Sequence, residues 1–331
     1  MPADKQITRE LAEFAAGLGF DEIPLDAVAA AKRSLLGAIA CAFAGFRTRD
    51  AEILRGLVRE AGGSPEATIL VSGDETSALA AALVNAHSIG AAEPGGGGAP
   101  GRIPGRSSGI LPAALALGER EGRSGRDLVT GMVLGLELQA RFLEAAAPVA
   151  AGGAWHPATL TAFVAPVVAG KMLDLPVDQI VNAIGISGSR SGALGAAGEG
   201  KPTMARAALD ALAAQSGVVA ALLAERGFTG PEHVIDGPGG LVEAIGGEWR
   251  LGALTDGLGA SYRFIESEAG GGSGARAPTD DEVAELFAAL SQAILSAERR
   301  GEIFAAVEEI ESVDNVIEFA ELLSAEHAAR G

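Results

Sequence analysis

Residues 171–231 read KMLDLPVDQIVNAIGISGSRSGALGAAGEGKPTMARAALDALAAQSGVVAALLAERGFTGP. The pattern is a helix, a loop of small residues and a second, longer helix. Both helices are made of Ala, Val, Ile and Leu around most of their circumference, and a helix apolar on every side is a buried one. The stretch predicts a central buried hairpin with the remaining helices packed against it.

Outward from it, the same signals recur. Thr8 is a plausible N-cap for TRELAEFAAGL, and Pro24 opens a helix from Leu25 to Phe43 that Gly45 closes. Arg49 to Ala61 is a third helix and Ser77 to Ile89 a fourth, with the strand candidate EATILVSG between them. Gly109 to Leu117 resumes helix. Ser124 with Asp127 is a capping box for VTGMVLGLELQARFLE, whose Gly131 and Gly135 permit close helix approach. His156-Pro157 leads into TLTAFVAPVVAGKML. After the hairpin come a loop with a short helix, then GLGASYRFIES, read as an extended tail. Thr279 with Glu282 caps a closing helix pair. The Pro/Gly-rich AAEPGGGGAPGRIPGRSSG and the Gly-rich EAGGGSGARAP form no regular element. The reading is all-α: about ten helices around the hairpin, with a main domain at 1–267, a linker at 268–278 and C-terminal helices at 279–331 packing back on it.

Composition bounds the function. A hydrophobic fraction of 48% with only 4% aromatic residues makes a core of small aliphatic side chains, suited to close helices. The net charge of −18 argues against a nucleic-acid partner, which needs clustered Lys and Arg, and disfavours an anionic membrane surface. The single cysteine, Cys41, lies in LLGAIACAFAG and reads as a core residue. No run looks long and apolar enough to cross a bilayer, and the N-terminus has no signal core. A cytoplasmic location is expected.

Taken together, TRELAEFAAGL, AKRSLLGAIACAFAG, ALVNAH, SSGILPAALALGE, SGRDLVTGMVLGLELQAR, WHPATLTAF, LDLPVDQIVNAIGISGSRSGAL and AAQSGVVAALLAERGFTGPEHVIDG resemble the MmgE/PrpD family. Its members include 2-methylcitrate dehydratase, cis-aconitate decarboxylase and iminodisuccinate epimerase. The resemblance implies a helical domain that dimerises, normally with a second, α/β lid domain.

The departures fall where the family carries its chemistry. After ALVN, the family's His position falls on Gly90 and its Asp positions on Glu93 and Gly95 to Gly97. Gly105 and Arg106 stand where a His precedes the serine–leucine–proline helix start. The family's MTK, His and Gly-Arg positions read Met204-Ala205-Arg206, Leu209 and Ala211-Leu212. After YRFIES the chain crosses the linker where a lid would begin.

His156 matches the family's active-site His-Pro and is the one catalytic candidate the resemblance carries over; alone at a helix start, it also reads as a capping histidine. Arg206, at the family's Lys position, keeps its proton and can only bind an anion. Lys201 reads as a carboxylate ligand or an exposed loop lysine. The Gly185–Gly195 loop reads as an anion cradle or, better, as close helix packing. His87, His233 and His327 have no metal-ligand spacing, so no metal and no cofactor is expected.

Dehydration, decarboxylation and epimerisation beside a carboxylate need a base, usually an acid, cations for the carboxylates, and exclusion of water. Polar site positions have become Ala and Leu while core periodicity is intact. That pattern points to a minimised or redesigned helical scaffold, kept for its fold and for self-association as a homo-oligomer. The alternatives are a lyase or epimerase acting on a small polycarboxylate through His156, Arg206 and Lys201, and a small-anion-binding module.

Overall fold

A computed structural model describes residues 6–92, 108–150, 153–190, 192–201, 203–268 and 278–325. The positions read as Glu93, Gly95 to Gly97, Gly105 and Arg106, most of the linker and His327 lie outside them.

The first half holds α1 (Ile7–Gly17), α2 (Leu25–Gly45), α3 (Arg49–Ala61), α4 (Ala78–Ala92), α5 (Leu111–Glu121) and α6 (Gly125–Ala146). The central part is α7 (Ala158–Met172), α8 (Val177–Gly188), α9 (Met204–Ala207) and α10 (Leu209–Glu225). Short α11 (Leu241–Ile245), α12 (Gly252–Thr255) and α13 (Arg263–Glu268) follow, then α14 (Asp280–Ser291), α15 (Ala297–Glu308) and α16 (Val316–Leu322). Among the described residues the fold is all-α apart from one hairpin, β1 (Ala67–Ile69) antiparallel to β2 (Asp74–Thr76).

Both predicted capping boxes form. Ser124 Oγ accepts from the Asp127 N–H while Asp127 accepts from the Ser124 N–H, and Thr279 and Glu282 do the same. Thr8 is not a cap: α1 starts at Ile7, and the Thr8 side chain is buried in the first turn. YRFIES is not extended, because Glu137 accepts the Phe264 N–H at 3.2 Å and anchors the start of α13 on α6. The closing pair is three helices, since Ser296 caps α15 and Asn315 caps α16.

The centre of the molecule is α7, with α6, α8 and α10 against it. Gly217 sets how close α10 comes: a β-carbon there would stand 2.6 Å from Ala165 Cβ and 2.7 Å from Pro166 N. Gly45 and Ser88 do the same for α2 and α4, with a β-carbon at Gly45 reaching 1.7 Å from Ser88 O. Gly131 and Gly135 admit the side chains of Met172 and Ile110 rather than another backbone. Cys41 is fully buried.

The hairpin is not buried on every side. α8 buries Ile180, Val181, Ala183 and Ile184, but α10 keeps an apolar strip at the surface, with Leu212 53% exposed and Met204 52% exposed on α9 before it. With apolar residues all round, α10 carries no signal of which side faces out. The expectation about apolar runs also fails: Leu25–Gly45 and Met204–Glu225 are long and apolar enough to cross a membrane, by length and composition. Few charges interrupt them, and the rest of each helix outweighs those few. Within Leu25–Gly45 the apolar window is 72% buried in the protein, as in a core helix; within Met204–Glu225 it is 39% buried.

The last helices dock on α2 and α5. Phe287 meets Phe43 edge-to-face at 6.5 Å, Lys32 pairs with Glu311 at 2.6 Å, and the Val316 N–H donates to Arg123 O at 2.8 Å.

Candidate functional site

Trp155 and Leu194 form an isolated antiparallel bridge, with the His156 N–H donating to Ala193 O at 2.8 Å. This fixes the residues after α8 beside the start of α7. His156 Nδ1 accepts the Ala158 N–H at 3.2 Å, so one ring nitrogen is turned back onto the opening of its own helix. Arg206, on α9, donates Nη1 to Gly198 O at 3.0 Å. A β-carbon on Gly198 would lie 3.4 Å from His156 Cδ2, so the histidine and the arginine flank one glycine. Lys201 is exposed in the loop before α9.

A β-carbon at Gly90, on α4, would stand 3.3 Å from the Ala207 carbonyl and 3.7 Å from Ser108 Cβ. Leu209 and Leu212 line a cavity of about 370 Å³ between α7 and α10, together with Thr159, Ala162 and Ser216. Among its described lining residues Arg190 is the one charged group, with no carboxylate, lysine or histidine. Asp210 is engaged nearby, accepting from Thr161 Oγ1 at 2.7 Å. Across the 188–194 segment a second cavity of about 470 Å³ is walled by Trp155, Phe163, Leu241 and His233, and Trp155 stacks on Trp249 at 6.3 Å.

Two glycines of the proposed cradle, Gly185 and Gly188, serve packing. Gly185 and Gly188 belong to α8, where β-carbons would reach 2.5 Å from Pro231 O and 2.7 Å from Val234 Cγ2. Among the described residues no group of three or more His, Cys, Asp or Glu is placed to hold a metal ion.

Three buried polar groups were not legible as a set. Asn85, in ALVNAH, accepts the Leu70 N–H and donates to Thr68 O, both at 2.9 Å, clamping β1 on α4. Glu119 accepts from the Thr68 hydroxyl at 2.5 Å and from the Thr68 N–H at 3.0 Å. Burial nevertheless pushes its carboxyl up to about 7. His87 Nε2 lies 3.1 Å from Asp50 Oδ2. Burial works to raise the Asp50 carboxyl, but the Thr48 hydroxyl, His87 and backbone N–H groups together hold it below its usual range. The signal available for all three was a polar residue within an apolar helical run; their partners lie far away in sequence.

The profile of the MmgE/PrpD N-terminal domain matches residues 9–252. Cis-aconitate decarboxylase from Aspergillus terreus is 27% identical over 278 residues, covering 82% of this chain and 55% of the relative. The cis-aconitate decarboxylase-like protein oryM of Aspergillus oryzae is 29% identical over 241 residues, covering 70% of this chain and 49% of the relative. The chain thus spans about half the length of the curated relatives it matches. A profile match running from α1 to the start of α12, over an all-helical body of the expected kind, makes this chain a member of the MmgE/PrpD family.

Proposed function

We propose that the chain is a non-catalytic helical scaffold of its family that self-associates. The observation that carries this is the α7–α10 cavity: its described lining offers Leu209, Leu212 and a single cation, with neither acid nor base. A polycarboxylate needs more than one cation to hold it, and its dehydration, epimerisation or decarboxylation needs a group that takes a proton from carbon or gives one to it. Losing one general acid or base slows a reaction by about 10²–10⁴-fold. His156 and Arg206 are meanwhile committed to local hydrogen bonds, His156 on α7 and Arg206 on Gly198. The apolar strip of α9 and α10, with Met204 and Leu212 at its surface, is the face offered to a second copy. Incubation with cis-aconitate, followed by absorbance, tests the first part: no loss of substrate beyond the buffer rate is expected, and enzyme-like turnover sinks it. Sedimentation at micromolar concentration tests the second; monomer alone contradicts it.

A second reading is a lyase or epimerase on a small polycarboxylate. It is favoured by the cis-aconitate decarboxylase relatives and by His156 and Arg206 flanking Gly198. In that case His156→Ala abolishes turnover without changing the assembly state.

A further inference from the structure

Away from this site, a cleft of about 630 Å³ opens between α3, the β1–β2 turn and the residues after α14. Its walls carry Arg47, Arg55 and Arg59 against Glu52 and Asp74, a local excess of cations in a chain of net charge −18. Both carboxylates are already engaged. Asp74 pairs with Arg59 at 2.9 Å, and Glu52 with Arg49 at 2.7 Å.

Among the described residues, the guanidinium groups of Arg55 and Arg47 form no ion pair with a carboxylate. Arg55 lies over the Phe46 ring, 3.7 Å from its centroid, and gives Nη1 to the Phe46 carbonyl at 2.6 Å. It is half-buried, and desolvation, ahead of the neighbouring charges, holds it below its usual range. Its charge is thus poorly hydrated, in direct contact with a ring and a carbonyl and only at longer range with the carboxylates of Glu52 and Asp74. Arg47 is exposed at the mouth and has no hydrogen-bond or ion-pair partner among the described residues. Phe46 and Arg55 hold each other, so the inner cation is fixed in place before anything binds. A planar guanidinium matches the paired oxygens of phosphate and carboxylate groups. The volume exceeds what one tetrahedral anion fills.

We propose that this cleft binds a compact multivalent oxyanion, a polyphosphate or a polycarboxylate, gripped between Arg55 inside and Arg47 at the mouth. The long-range field of the acidic chain opposes such a ligand, so the affinity comes from short contacts, and its dependence on those two arginines is correspondingly steep. This proposal does not rest on the non-catalytic reading.

Calorimetric titration of the full chain with inorganic pyrophosphate and, separately, with citrate tests it. Binding of either probe is expected, and the probe that gives heat identifies the phosphate or carboxylate source; heat from both defines a general oxyanion site. Arg47→Ala, at an exposed position that leaves the fold intact, is expected to weaken binding about tenfold or more. Arg55→Lys, which keeps the charge but loses the fork, is expected to weaken it too, with Arg206→Ala unchanged. No heat from either probe, or wild-type affinity in both Arg47→Ala and Arg55→Lys, overturns the proposal. So does binding lost in Arg206→Ala or Arg190→Ala but kept in Arg47→Ala, which moves the ligand to the candidate site.

Discussion

Replacing Arg141 by methionine probes what ties the segment after the family-matched region to the helical body. Arg141 and Glu137 are both fully buried, one turn apart on α6. The guanidinium donates to Glu137 Oε1 at 2.5 Å, to the carbonyls of Ala253 and Asp256 at 2.9 and 3.0 Å, and to Ser261 O at 3.2 Å. Glu137 in turn accepts the Phe264 N–H. One ion pair therefore organises α12, the turn after it and the start of α13. Methionine fills the stem's volume but leaves a carboxylate without a cation and carbonyls without donors. Removing one member of a buried pair costs about 3–5 kcal/mol, a large share of the ~5–15 kcal/mol by which a domain is stable. Burial already pushes the Glu137 carboxyl up against the pull of Arg141, so in the variant it is expected to take up a proton, and the loss shrinks at acidic pH. Adding Glu137→Gln removes the buried charge and should recover about 1–3 kcal/mol of the loss. Urea denaturation followed by circular dichroism gives all three values. The reasoning is refuted if Arg141→Met costs less than about 1 kcal/mol, or if the double variant is no more stable than the single one.

Three further predictions follow from the packing. Glu119 has a folded pKa of about 7 against a usual value of 4.5, so the native state holds its proton more tightly than the unfolded chain. Its contribution to stability is therefore present below pH 4.5 and is lost as pH rises to 7, by up to about 3 kcal/mol; Glu119→Gln should flatten that slope in denaturation midpoints taken against pH. Gly217→Ala gains about 1 kcal/mol of helix propensity but drives a β-carbon into the α7 backbone. A net loss of about 1–2 kcal/mol is expected, whereas Gly301→Ala, where nothing lies within 4 Å, should stabilise by up to ~1 kcal/mol; equal effects in the two variants contradict the close approach of α10. His156→Ala should lower the melting temperature by removing the bond that its Nδ1 accepts from the Ala158 N–H, worth about 0.5–1.5 kcal/mol, and a melting temperature unchanged from wild type would show that this bond does not steady the start of α7.

The helical frame was legible because its boundaries are chemically local. Ser124 and Asp127, or Thr279 and Glu282, satisfy each other's backbone within one turn, and Gly62, at φ 70°, ends α3 where Ala61 was read as its last residue. What depends on distant partners was not legible. YRFIES is helical because Glu137, over a hundred residues earlier, takes the Phe264 N–H in its first turn. β1 was foreseen, yet its partner β2 is the polar, largely exposed DET, held by backbone pairing. The exposed strip of α10 was hidden by its own composition, since a helix apolar all round does not announce its outward side. For the candidate site, sequence named His156 and Arg206, which flank Gly198, and Lys201, which is exposed in the loop before α9. Arg190 and the α7–α10 cavity went unnoticed because they arise from a fold-back, not a motif.

A non-catalytic chain moves no proton to or from the carbon of a polycarboxylate. Dehydration and epimerisation take a proton from the carbon beside a carboxylate, and decarboxylation places one on the carbon that loses carbon dioxide, so in deuterium oxide each of them leaves deuterium in the carbon skeleton. The direct measurement is proton NMR of cis-aconitate and citrate incubated with the chain in deuterium oxide, beside a protein-free control. Identical spectra in the two samples are predicted. Deuterium entering the carbon skeleton only with the protein present, and no longer entering with His156→Ala, would contradict the central claim.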